Sequence, residues 1–177
     1  MTNRVLICGR GKSLKEINNS FFEKEFDYVV LLNEFNDFVK QDEKMHEFLK
    51  DKRIIQFLNI SESGIDQQFL NNYNVDKIYI TRLKPNGSGT WWRQHRGRRV
   101  PESFGRECLY PSEKLEPYMK GVKNTADVAM LFSLLDLDSK ELCFVGMDFY
   151  EVGYHLNHDS PPYLREKKKH EEVHCKE

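Results

Sequence analysis

The chain has 177 residues, 39% hydrophobic and 31% charged, with 27 lysines and arginines against 28 aspartates and glutamates. That length predicts one domain with a substantial core, and a net charge of −1 excludes a globally basic binder of nucleic acid or membrane, so any such surface is local. Four scattered cysteines without a Cys-x-x-Cys pair, no apolar signal region behind a basic start, and no apolar run of about 18 residues predict a reducing, cytoplasmic setting and neither a signal peptide nor a membrane span.

The first element is the apolar run Arg4–Cys8, suited to a buried parallel strand. It ends in Gly9-Arg10-Gly11-Lys12-Ser13, and a helical pattern over Leu14–Asn18 follows at once, with Ser13 as cap and Glu16 completing a capping box. A glycine loop between a strand and a helix suits a phosphate, because the backbone approaches an anion closely and the first helical turn offers N–H donors. The loop is not a full dinucleotide fingerprint, since Leu14 stands at the third glycine position, and it lacks P-loop spacing. A tight turn with no ligand is the competing reading.

Tyr28–Leu32 is the second strand and ends at Asn33. Asp42–Lys50 reads as helix, Arg53–Leu58 as the third strand ending at Asn59, Ser63–Asn72 as helix, Asn74 as a turn, and Lys77–Thr81 as the fourth strand. Residues 84–112 form a long irregular segment rich in Gly, Arg and aromatics, read as a lid or insertion within the single domain. Its Trp91–Arg99 stretch suits a phosphate or acidic sugar better than single-stranded nucleic acid, with a solvated surface loop as the competing reading. Asn124 or Thr125 caps a helix over Ala126–Leu135, with Val128, Leu131, Phe132 and Leu135 on its apolar face. Glu141–Val145 is the fifth strand and runs into Gly146-Met147-Asp148-Phe149-Tyr150. The tail from Glu166 is charged and helix-prone.

Alternating strands and helices predict an α/β fold with a Rossmann-like parallel sheet and helices on both faces. In such sheets ligands bind beyond the carboxyl ends of the strands. The polar residues that follow the strands, Gly9–Ser13, Asn33, Asn59 and Gly146–Tyr150, are therefore candidates, and Lys123-Asn124-Thr125 at a second helix start offers hydroxyl, amide and N–H groups to a phosphate or base edge. Capping competes with ligand binding at Asn124 and Thr125, and local backbone bonding competes at Asn33. Two motifs are set aside. His170-Glu171-Glu172-Val173-His174 matches a zinc signature, but its flanks are charged and no third ligand follows. Asp136-Leu137-Asp138 follows a helix and precedes a strand, on the side of the sheet away from the expected site, and reads as a solvated turn.

Two blocks of sequence resemble the bacterial lipooligosaccharide sialyltransferases. Val5–Ile17 reads V-L-I-C-G-R-G-K-S-L-K-E-I, beside that family's apolar strand and G-N-G-P-S-L-K-E-I, and Asn33-Glu34-Phe35 resembles its C-N-Q-F. Asn124–Tyr150, ending K-E-L-C-F-V-G-M-D-F-Y, resembles T-S-G … K-E-I-Y-L-S-G-I-D-F-Y. The animal sialyltransferases are more distantly similar. The resemblance implies a glycosyltransferase A-type variant of the Rossmann-like fold and metal-independent transfer of a sugar, sialic acid, from a CMP-linked donor. The donor is a co-substrate, with no further cofactor. The acceptor would be a glycan or glycolipid hydroxyl, met in the cytoplasm or at the inner face of a membrane.

Carried over by position, Gly9, Gly11, Ser13, Asn33, Thr125 and Gly146 would line the CMP pocket, joined by Arg10 and Asn124 from the same loops. Tyr150 would stabilise the departing phosphate, and a histidine beyond the D-F-Y block would be the general base. His155, His158, His170 and His174 fit that position, and His170 is favoured because it opens a charged helical segment. Arg10 stands where the family has asparagine, Lys12 where it has proline, Ala126 where it has serine and Asp127 where it has glycine. The sequence also stops soon after the histidines, where family members continue. Two other readings stay open: a non-catalytic nucleotide-binding remnant of the fold, and a pterin diphosphokinase-like enzyme, which shares a Gly-rich loop followed by Ser-Leu.

Overall fold

The computed structural model describes residues 3–11, 13–14, 17–33, 35, 39–40, 42–58, 67–80, 108–109, 113–118 and 125–147. Six strands form one sheet: β1 (Asn3–Cys8), β2 (Tyr28–Leu32), β3 (Ile54–Leu58), β4 (Val75–Ile80), β5 (Cys108–Leu109) and β6 (Ser139–Val145). Their order is β5-β4-β3-β2-β1-β6, and every neighbouring pair is parallel. The described helices include α1 (Asn19–Phe22), α2 (Glu43–Lys50), α3 (Gln67–Asn72) and α4 (Thr125–Leu135), with a 3-10 helix over Glu113–Tyr118.

Strand β2, and β1 from Val5 onward, are apolar without interruption because both faces of a parallel sheet are covered. Side chains that alternate along β1 feed two separate cores. Leu6 and Cys8 join Met45, Phe48 and Leu49 of α2 and Phe69 and Leu70 of α3. Val5 and Ile7 join Leu115 of the 3-10 helix and Val128, Ala129 and Phe132 of α4. The Phe132 ring meets those of Phe57 and Tyr79 at centroid distances of 5.3 and 4.8 Å. Helices therefore lie on both faces.

The chain steps outward from β1 to β5, then returns to place β6 on the other side of β1. Right-handed crossovers require the covering helix to change face when the direction reverses, and α4 does lie opposite α2 and α3.

Several elements differ from the sequence-based expectation. Ser13 lies inside a 3-10 turn rather than capping an α-helix, and the Leu14 N–H donates to the Gly11 carbonyl at 3.2 Å. The helix expected over Leu14–Asn18 does not extend to its expected end. Asn18 is instead the extended N-cap of α1, and its side chain accepts from Phe21 N–H. Asparagine competes for backbone donors, which favours the cap over the helix interior. Within the segment read as an irregular lid, Cys108–Leu109 form the edge strand β5; the rest of 84–112 lies outside the described residues. The buried face of α4 is Thr125, Val128, Ala129, Phe132 and Ser133, turned from the expected one. Ser133 is accommodated because its hydroxyl donates to the Ala129 carbonyl at 2.8 Å. Among the described residues, no helix is long and apolar enough to cross a membrane.

Candidate functional site

The reversal of strand order between β1 and β6 creates a switch point. There the loops leaving two neighbouring parallel strands diverge, which is where open α/β sheets bind ligands. The residues at this point are those that follow β1 and β6, namely Gly9–Gly11 and Gly146–Met147.

These two loops are joined before they part. Gly9 N–H donates to the Val145 carbonyl and Gly11 N–H to the Gly146 carbonyl, each at 2.8 Å. Gly146 has φ +63°, and a methyl group there would lie 2.6 Å from both the Gly9 oxygen and Leu14 Cγ. A Cβ on Gly9 would collide with the Gly146 oxygen and lie 2.7 Å from the Met147 sulfur. Glycine is thus required on both sides of the contact. The same geometry corrects the expected use of the loop. The Gly9 and Gly11 amides are committed to carbonyls and do not serve an anion, so these glycines contribute shape.

Asn33 follows β2 on the other side of β1 and is left-handed, with φ 64°. Asparagine tolerates that conformation better than most residues. Its N–H donates to the Phe57 carbonyl at 2.6 Å, and its carbonyl accepts from Gln56 Nε2 at 3.0 Å. Thr125 is the first residue of α4 and is buried. The helix hands over to β6 at the amino edge of the sheet, where Asn3 Nδ2 donates to the Leu137 carbonyl. Thr125 is therefore at the helix end nearer the carboxyl edge. An eleven-residue helix is long enough to carry a useful dipole at that end, whereas α1, with four residues, is not.

The structure thus brings Gly9, Arg10, Gly11, Ser13, Asn33 and Gly146 to the carboxyl edge, with Thr125 at the helix end that approaches it. Asn59, Asn124, Asp148, Phe149, Tyr150 and His170, with His155, His158 and His174, lie outside the described residues. Cys8, directly before the loop, is fully buried, and burial drives its thiol far above the ordinary range. It is a core residue rather than a nucleophile. Burial also raises the thiol of Cys143, helped by the Glu141 carboxylate.

The turn Asp136–Asp138 lies at the opposite edge. Asp138 is exposed and 3.0 Å from Lys140 Nζ, while the less exposed Asp136 is 3.6 Å from Lys114 Nζ. Asp138 takes φ 46°, as turn aspartates do.

Sequence reasoning passed over Gln56. The available signal was a single polar residue in the run Ile54-Ile55-Gln56-Phe57-Leu58, every member of which is buried. Met147, within the candidate stretch Gly146–Tyr150, has its sulfur at the border of the glycine contact.

No protein-family model, no curated protein and no solved structure matches this chain.

Proposed function

We propose that the carboxyl-edge crevice between β1 and β6 binds the phosphate of a CMP-linked sugar, and that the protein is a metal-independent glycosyltransferase of sialyltransferase type on a Rossmann-like, glycosyltransferase A-type frame. One observation carries the reading. The two blocks that resemble that family, distant in sequence, meet at the switch point through the Gly9–Val145 and Gly11–Gly146 hydrogen bonds. Asn33, the remaining family-like position, ends the strand next to β1.

In this reading the two glycine loops shape the floor of the site, and the first turn of α4 at Thr125 supplies positive potential to the donor phosphate. Arg10 adds a fixed cation. Tyr150 donates to the departing phosphate, and His170 removes the proton from a glycan or glycolipid hydroxyl. The donor is the only small co-substrate. The test is calorimetric titration with CMP, UMP, GMP and AMP. Tighter binding of CMP by at least about tenfold, about 1.4 kcal/mol, is expected, and no preference for CMP contradicts the donor assignment. Metal-dependent binding of ATP in the same titration would point to a pterin diphosphokinase-like enzyme instead.

A second reading has an observation of its own. Asp127 places a carboxylate in the first turn of α4, close to where an anionic donor would sit. That carboxylate opposes the further negative charge that builds up on a departing phosphate, a cost that a module which binds without transferring does not meet. It predicts CMP binding with no donor hydrolysis. Hydrolysis that is lost in His170→Ala excludes it.

A further inference from the structure

Gln56 is the anomaly of the sheet. It sits in the middle of β3, between Ile55 and Phe57, and is 3% exposed. Its Nε2 reaches across to the carbonyl of Asn33 at 3.0 Å. Among the described residues nothing donates to its Oε1. The reversed amide would set two oxygens against each other, so the hydrogen bond fixes which end is which. Burying an amide in a strand core costs free energy that an apolar residue of similar shape would not incur.

What the side chain does is hold one backbone group. Asn33 is pinned twice, by its N–H on the Phe57 carbonyl and by its carbonyl on Gln56, both groups of β3. Those two bonds set the left-handed turn at the end of β2. Beyond the turn Phe35 enters the same core as Leu14, which packs beneath Gly146. The Asn33 corner and the glycine contact thus rest on one apolar cluster.

We propose that Gln56 is a positioning residue of the carboxyl-edge site, fixing Asn33 so that its side chain is presented to the bound nucleotide. This deepens the nucleotide reading and rests on it. Gln56 does not touch the ligand. It acts through the Asn33 backbone.

The experiment is a double-mutant cycle on the full chain with Gln56→Met and Asn33→Gly, read by CMP affinity and by amide hydrogen exchange at Asn33. Methionine keeps the shape and loses the donor, while glycine keeps the left-handed backbone and loses the side chain. Gln56→Met is expected to weaken CMP binding about tenfold when Asn33 is present and to cause no further weakening in Asn33→Gly. Exchange at the Asn33 N–H should rise at least about tenfold relative to the β2 amides, reporting the released corner. Equal weakening in both backgrounds, or no weakening in either, overturns the proposal. If the wild-type protein binds none of the four nucleotides, the nucleotide reading fails by itself. The exchange measurement then decides the role of Gln56: a rise confined to Asn33 sustains it, and an unchanged rate overturns it. Folding of Gln56→Met is checked by its denaturation midpoint, and if that variant does not fold, Gln56→Leu serves in the same cycle.

Discussion

Gly146 and Gly9 face each other at a separation that leaves no room for a methyl group on either. Gly146→Ala adds a left-handed penalty of about 1–2 kcal/mol to contacts with the Gly9 oxygen and Leu14 at 2.6 Å. A total loss of about 2–4 kcal/mol is expected in urea unfolding. Gly9→Ala should lose about as much without the φ component, and a loss below about 0.5 kcal/mol for either would refute the packing argument. Cys8 supplies a pH test. Its folded-state pKa is raised above the ordinary 9.0, so the unfolded chain gives up the proton first as pH rises. The corresponding stability is full below pH 9 and is lost above it, by up to about 1.4 kcal/mol per pH unit. The stability of the wild type should therefore fall more steeply between pH 8 and 10 than that of Cys8→Ala. Parallel curves would show that the thiol is not buried. The same burial predicts that Cys8 resists alkylation until the chain unfolds.

At the scale of elements, capping and packing decide. Asp42 accepts from Met45 N–H at 3.0 Å and starts α2, so Asp42→Ala should cost about 1 kcal/mol. In α4, Phe132 joins the Phe57 and Tyr79 rings while Leu134 is 43% exposed. Phe132→Ala should cost about 3–5 kcal/mol and Leu134→Ala under about 0.5; equal costs would mean that the helix is rotated. The strands were legible because a buried parallel strand is an apolar run of about five residues bounded by turn formers, and Tyr28–Leu32 has the same limits in both readings. The helix face was less legible. Helical spacing puts Val128, Leu131, Phe132 and Leu135 on one face, but Ser133 is buried by bonding its own helix, which periodicity does not reveal. The turn after Gly11 was misread because Asn18 caps the next helix rather than ending this one. Strand β5 was hidden because two residues carry no pattern. Of the candidate site, the meeting of the Gly9 and Gly146 loops was legible in outline, whereas the hydrogen bonds that occupy the glycine amides, and the part played by Gln56, depend on contacts between distant strands.

At the scale of the molecule, the central feature is one reversal of strand order. It brings the loops after β1 and β6 together at the carboxyl edge and sends the Asp136–Asp138 turn to the other. The proposed donor site stands or falls on that polarity. The most direct measurement is amide hydrogen exchange of the whole chain with and without saturating CMP. Protection is expected at residues 9–14, at Asn33, in the first turn of α4 and at residues 145–147, with no change at Asp136–Asp138. Protection at the amino edge, or none anywhere, would contradict the assignment.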